Sequence, residues 1–250
     1  MEKDYSITKY FGENLAELLS DKLIKVYKDF PKNRYITTIR EKVVGLGYTQ
    51  RIELHADEIR NCLPADYKKA SSILLEILGP ENPNETGMFS EFYWIMPLGK
   101  FTEKYGTDDF DTSMFAIEEI TKRNTGEYAV RPFIRKYPEQ SLKRIREWAC
   151  SENFHLRRLA SEGLRPKLPW ATKLDTFIGN PAPVFEILEI LKEDEVMFVK
   201  KSVANHLTDW LKVNREPAVE LIKRWRKSEN RHTVWIIKKA TKNGLLFMDS

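Results

Sequence analysis

Apolar residues recur three and four positions apart along most of the chain, and no stretch alternates apolar and polar residues as a strand does. From Asn14 to Phe30 the stripe runs through Leu15, Leu18, Leu19, Leu23, Ile24, Val26 and Tyr27, and Pro31 ends it. Tyr35 to Leu46 predicts a second helix, closed by Gly45-Leu46-Gly47. Arg51 to Leu63 predicts a third, stopped by Pro64, and residues 65–79 a fourth, stopped by Gly79-Pro80. Glu81 to Gly87, ENPNETG, reads as a loop. Met88 to Gly99, MFSEFYWIMPLG, predicts a buried aromatic helix broken near Pro97. Thr107-Asp108-Asp109 opens a helix over 110–123 with acids in its first turn, where the helix dipole favours them. The next helix begins at Thr125-Gly126-Glu127 and runs to Tyr137, ended by Pro138.

An internal repeat follows. Trp148, Ser151, Glu152, Asn153 and His155 are matched by Trp225, Ser228, Glu229, Asn230 and His232, a W-x-x-S-E-N-x-H pattern at an offset of 77 residues. Two periods of about 38 to 39 residues fit helix-pair repeats of the HEAT and armadillo kind. Such units fall at 110–137, 139–165, 183–212 and 216–243. Second helices carry basic pairs, Arg157-Arg158, Lys200-Lys201 and Lys238-Lys239. Stacked second helices line the concave side of a solenoid, so the pairs predict a basic stripe there. The matched positions of His155 and His232 argue for turn architecture, and Trp148, Trp210, Trp225 and Trp235 read as inter-helix packing. The whole chain, 1–250, is expected to be one all-α, HEAT-like domain, with supporting helices over 1–80 and helix-pair repeats over 88–250.

One stretch departs from plain packing: NFHLRRLASEGLRPKLPWA, Asn153 to Ala171. Phe154 to Glu162 reads as a helix with Leu156, Leu159 and Ala160 on one stripe, and Arg158 and Glu162 share a face at i, i+4. Gly163 supplies a C-cap and Pro166 forbids continuation. Lys167 to Trp170 then reads as an extended arm carrying an indole. Arginines, one carboxylate and one indole around a helix end suit phosphates, a developing cation and a sugar ring.

Charge sharpens this picture. Residues 1–125 hold 17 Lys and Arg against 21 Asp and Glu, and residues 126–250 hold 24 against 16, within a net charge of +4. The basic second half points to a polyanion. No apolar run approaches a membrane span. The acidic amino terminus lacks the apolar core of a secretory signal, so a cytoplasmic location is expected. Cys62 and Cys150 are isolated, which fits a reducing compartment and no zinc module. His55 and His206 have no metal-ligand spacing, and no metal or cofactor is expected.

The motif R-R-L-A-S-E-G-x-R-P-x-L-P-W, Arg157 to Trp170, resembles the signature of the AlkC group of bacterial DNA alkylation repair glycosylases. G-E-Y-A-V-R-P-F at 126–133 and N-H-L-T-D-W at 205–210 extend the resemblance over most of the chain. It implies a HEAT-like fold and hydrolysis of the N-glycosidic bond of 3-methyladenine and 3-methylcytosine in double-stranded DNA, by a monomer, with the base not swung into a deep pocket. It also implies that Glu162, Asp209 and Glu127 are acidic catalytic-site positions. By the same resemblance Trp170 is expected to face the lesion's deoxyribose and Arg158 and Arg165 to bind the DNA backbone; Arg157, Lys200, Lys201, Lys238 and Lys239, from the basic pairs, are expected to bind DNA beside them. Some members of the group carry a further immunoglobulin-like domain; no strand-rich tail precedes Ser250, so that module is expected to be absent.

The residues themselves allow blander roles. Glu162 pairs with Arg158 on any helix, Asp209 can pair with Lys212, Glu127 suits the first turn of a helix, and Trp170 can plug a core. Two other functions remain open: an inert relative that binds damaged or branched DNA by shape, and a HEAT-like scaffold for a protein partner. The first is expected to lack one of the three acids or Trp170; the second has no need of a basic stripe.

Overall fold

The computed structural model describes residues 7–242, and among them all regular secondary structure is helical. Asn243, which closes the last predicted repeat unit, and the tail to Ser250 lie outside the described residues, as does the start of the amino terminus. The chain divides into two compact units, Met1–Ala129 and Val130–Ser250. The loop at 81–87 does not separate them. Asn82 N–H bonds the Lys122 carbonyl and Arg123 bonds the Gly79 carbonyl, which tie both ends of that loop region into the first unit.

The first unit holds α1 (Glu13–Val26), α2 (Lys32–Lys42), α3 (Tyr48–Cys62), α4 (Tyr67–Glu76), α5 (Phe89–Phe92), α6 (Met96–Tyr105) and α7 (Phe110–Thr121). Helix α2 starts directly after Pro31 and α3 directly after Gly47, each a few residues before the apolar stripe begins. Polar first turns carry no periodicity, so the pattern finds such starts late. The aromatic run is not one helix broken at Pro97. It is the short α5, a 3-10 turn at Tyr93–Ile95, and α6, with Pro97 in its first turn. Proline is tolerated there because the N–H it lacks has no helical partner at that position. Pro132 and Pro138 likewise start helices. Glu127 therefore lies in a turn before a helix that begins at Arg131, and not in a helical first turn.

His55 is fully buried in this unit, its Nδ1 2.8 Å from the Tyr35 hydroxyl. Burial pulls its pKa from 6.5 down to about 4, against the opposing pull of the Phe11 and Gly12 backbone. The unfolded chain takes up this proton near pH 6.5, while the folded chain resists it until about pH 4. The stabilisation is complete above pH 6.5 and declines on acidification to about pH 4, by about 3 kcal/mol for this group alone. Urea unfolding at stepped pH should show that decline, and His55→Gln, which cannot take up the proton, should flatten it.

The second unit holds α8 (Arg131–Lys136), α9 (Pro138–Ala149), α10 (Phe154–Glu162), α11 (Ala182–Leu191), α12 (Met197–Val213), α13 (Arg215–Trp225) and α14 (Arg231–Ala240). Helix α10 packs on α12 and α12 on α14, while α9, α11 and α13 back them. The second helices of successive pairs thus stack, as a HEAT-like repeat requires. Trp148, Trp210 and Trp225 are buried between helices, and the Trp225 indole N–H reaches Glu189 on α11 at 2.8 Å. The S-E-N repeat is a helix-capping turn. Asn153 Oδ1 accepts from the His155 N–H at 2.9 Å, and Asn230 Oδ1 from the His232 N–H at 2.8 Å. A side-chain oxygen at this position satisfies N–H groups that the first turn leaves open. In the intervening unit Val196 holds the capping position without a side-chain cap bond, and Asp194 takes the place of Ser151 and Ser228: it accepts from the Val196 N–H at 2.9 Å, as Ser151 Oγ accepts from the Asn153 N–H at 3.1 Å.

Candidate active site

Glu162 is the last residue of α10 and Asp209 lies on α12, two turns beyond Ser202 and on its face. The stacking of α10 on α12 brings both acids to one guanidinium. Arg165 Nη1 donates to Glu162 Oε1 at 2.6 Å and its Nε to Asp209 Oδ2 at 2.8 Å. Arg158 Nη2 lies 3.5 Å from the same Glu162 oxygen, and its guanidinium carbon sits 4.9 Å from the Phe198 ring centroid. The Ser202 hydroxyl donates to the other oxygen, Glu162 Oε2, at 2.5 Å. Both acids are nearly sealed from water, at 5% exposure for Glu162 and 7% for Asp209.

Two buried carboxylates at one site repel, and a planar fork with several donors is the group that holds both. Burial first, and the Glu162 charge after it, push the Asp209 pKa above its ordinary value, against the Arg165 hydrogen bond and charge. Burial would lower the Arg165 pKa, yet Glu162 and Asp209 together raise it, so it remains a cation. The structure places Arg165, expected from the resemblance to bind the DNA backbone, between the two acids, where the chain turns after Gly163 and carries it back across the α10 end. Gly163 does cap α10, but with φ −62°, so no left-handed turn requires it. The requirement is space: a Cβ there would stand 2.8 Å from Val130 Cγ1 and 3.1 Å from the Leu159 carbonyl.

Trp170 is not a core plug. It is 80% exposed and holds φ +65°, in the left-handed region that costs a non-glycine residue about 1–2 kcal/mol. The segment that carries it is a closed loop rather than a free arm. Leu174 N–H bonds the Pro166 carbonyl at 3.0 Å. Arg131, buried, donates to the carbonyls of Arg165 at 2.9 Å and Thr172 at 2.7 Å. Arg135, one turn on, donates to the Thr172 hydroxyl at 2.7 Å and the Lys173 carbonyl at 3.0 Å. Two arginines at i, i+4 thus pin both ends of the loop. G-E-Y-A-V-R-P-F contains the first of them; the sequence offered no signal that these guanidiniums bind backbone carbonyls.

The basic pairs do not behave as pairs. Adjacent residues on a helix point about 100° apart, so both members cannot meet one ligand. Arg157 binds Asp194 at 2.5 Å and the Ser151 and Glu152 carbonyls at 3.0 and 2.8 Å, which joins two capping turns. Lys200 is buried, 3.1 Å from His232 Nδ1 and 5.7 Å from the Trp235 ring centroid. Lys201, Lys238 and Lys239 are exposed.

Glu127 belongs to the first unit. The Thr125 hydroxyl donates to its Oε2 at 3.0 Å, and its own N–H bonds the Thr125 oxygen at 3.2 Å. Its charge adds to burial in raising the pKa of the Tyr48 phenol. Among the described residues, no group of three His, Cys, Asp or Glu side chains is placed to hold a metal ion, and no helix is long and apolar enough to cross a membrane.

The chain is similar in structure to Pseudomonas fluorescens alkylpurine DNA glycosylase AlkC bound to DNA containing an abasic site analog. The TM-score is 0.85 at 30% identity, over 95% of this chain and 64% of that one. It is also 34% identical to the uncharacterized protein YhaZ of Bacillus subtilis (strain 168), over 94% of this chain and 63% of the relative. The chain thus spans less than two thirds of the length of each. The model of the family described as DNA alkylation repair enzyme matches residues 100–243, more than half of the chain, and the protein belongs to that family.

Proposed function

We propose that the protein is a DNA glycosylase that hydrolyses the N-glycosidic bond of cationic N3-methylated bases, 3-methyladenine and 3-methylcytosine, in double-stranded DNA. The observation that carries this reading is the pair of buried carboxylates bridged by Arg165, followed in the chain by a loop that holds Trp170 exposed at φ +65°. Cleavage of the bond builds positive charge on the deoxyribose, as glycoside hydrolysis does. Glu162, fixed by Arg165 and Ser202, supplies a negative charge oriented before the reaction. Asp209, held by Arg165 Nε and with its proton affinity raised by burial, is assigned the proton of the attacking water. The Trp170 ring offers its π face to the same sugar cation. Glu127, oriented by Thr125, is the third acid of the reading. The test is release of free 3-methyladenine from methylated duplex DNA by the purified chain. An intact base complement after prolonged incubation with excess enzyme would sink the proposal.

Phosphate contacts in this reading fall to Arg158 and to the exposed Lys201, Lys238 and Lys239. Arg157 is instead a structural tie. Lys201→Ala should weaken binding to all duplexes alike and lower the slope of log affinity against log salt by about one. Arg157→Ala should leave that slope unchanged and lower the thermal midpoint. A Lys201→Ala loss confined to one DNA sequence would contradict the assignment.

A further inference from the structure

Beneath Glu162 lies a chain of buried hydroxyls that the proposed chemistry does not use. Ser202 on α12 and Ser161 on α10 are both buried, with their oxygens 3.0 Å apart. Ser161 Oγ is in turn 3.4 Å from Nδ1 of His206, which is fully buried. A serine hydroxyl has one proton to give. The 2.5 Å contact to the carboxylate takes the Ser202 proton, since bonds to an ionised acceptor are the shorter and stronger ones. The Ser161 proton then points at Ser202, and the His206 ring can complete the series by presenting Nδ1–H to Ser161. Burial, with the Arg165 and Arg131 charges behind it, holds the His206 pKa well below its ordinary value, so the ring stays neutral and keeps one N–H. Every hydroxyl donor in this series points toward Glu162.

We propose that Ser202 and Ser161 are positioning residues that fix the Glu162 carboxylate in the rotamer the reaction needs. The proposal rests on the glycosylase reading for its kinetic consequence, but its geometric content stands apart from it. The charged and titratable groups facing Glu162 are Arg158 on its own helix, Arg165 on the following turn, and Asp209 through Arg165 on α12, with His206 behind the serines. Arg165 Nη1 and Arg158 Nη2 bear on Oε1. Ser202 donates to Oε2, and a buried oxygen that loses such a donor seeks another, so its removal favours rotation of the carboxylate about its last bond.

Ser202→Ala should lower the single-turnover excision rate by about 10- to 100-fold, the scale of an ångström's misplacement, with DNA affinity unchanged. Ser202→Thr, which restores the hydroxyl, should recover most of the rate. In a Glu162→Gln background, Ser202→Ala should cost much less, because both changes act on one group. An equal loss in the two backgrounds overturns the proposal. So does a Ser202→Ala crystal structure in which the Glu162 carboxylate keeps its place. If the wild-type chain releases no methylated base, the glycosylase reading fails, and the rotamer of Glu162 in the Ser202→Ala and Ser202→Thr crystal structures decides the present proposal by itself.

Discussion

Asp209→Asn should reduce single-turnover release of 3-methyladenine by about 10²- to 10³-fold, the loss typical of one preorganised polar group in an acyl- or glycosyl-transfer site. The substitution keeps the shape and the contact to Arg165 Nε, 2.8 Å away in the wild type, while it removes the group that takes the water proton. Affinity for duplex DNA should stay nearly constant, because the substitution keeps the Arg165 contact and removes no phosphate-binding cation. The pH profile separates this loss from a structural one. An acid that accepts a proton must be ionised, so the wild-type rate should fall as pH drops through the Asp209 pKa. Burial places that pKa above the ordinary aspartate value, so the acid limb should appear at a higher pH than an exposed aspartate would give. Asp209→Asn should abolish the limb. Glu162→Gln should cost about 10²-fold or more, and the double variant less than the product, since both acids share one guanidinium. Wild-type rates in both single variants would rule out the carboxylate mechanism.

The distribution of what was legible in the sequence follows from how each feature is encoded. The second helices stack because the 3.6-residue stripe and the Asn153 and Asn230 caps are local, and local signals survive reading one residue after another. Helix starts were misplaced where proline had two meanings. Pro97 and Pro138 read as breaks, yet each lies in a first turn, where its missing N–H costs nothing. The motif singles out Glu162, Asp209 and Arg165, but it gives no sign that Arg165 bridges the two acids. Whether an arginine meets phosphate or carboxylate depends on what lies across from it, and Asp209 is 44 residues away in the chain. Ser202 carries no motif at all. Its role exists only because α12 packs against α10 with that hydroxyl opposite Glu162 Oε2. The basic pairs split for a geometric reason already present in the sequence: neighbours on a helix diverge, so Arg157 and Lys200 turn inward while Lys201 stays in solvent.

The site should also discriminate among lesions by charge. Methylation at N3 of adenine or cytosine gives the base a formal positive charge, so it departs neutral once the bond to the sugar breaks. Uracil departs as an anion and needs a proton donor as it leaves. The side chains bonded to Glu162 and Asp209 are two arginines and a serine, and none of them is suited to protonate a leaving base. Arg158 and Arg165 do not give up protons, and the Ser202 hydroxyl is committed to Glu162. His206 is neutral and buried behind the serines, its pKa held well below the ordinary value by burial and by Arg165. Asp209 has a raised pKa, but in the proposed mechanism it is needed as an anion to take the water proton. General-acid assistance is worth about 10²- to 10⁴-fold, and a site without it forfeits that factor for every neutral lesion. Single-turnover release from matched duplexes should therefore be fast for 3-methyladenine and 3-methylcytosine, corrected for spontaneous loss, and slower for uracil by about 10³-fold or more. Comparable rates for uracil would mean that a proton donor reaches the leaving base. A rate for uracil that falls as pH rises would identify that donor as a titrating acid, and the assignment of Asp209 as base would then have to be reversed.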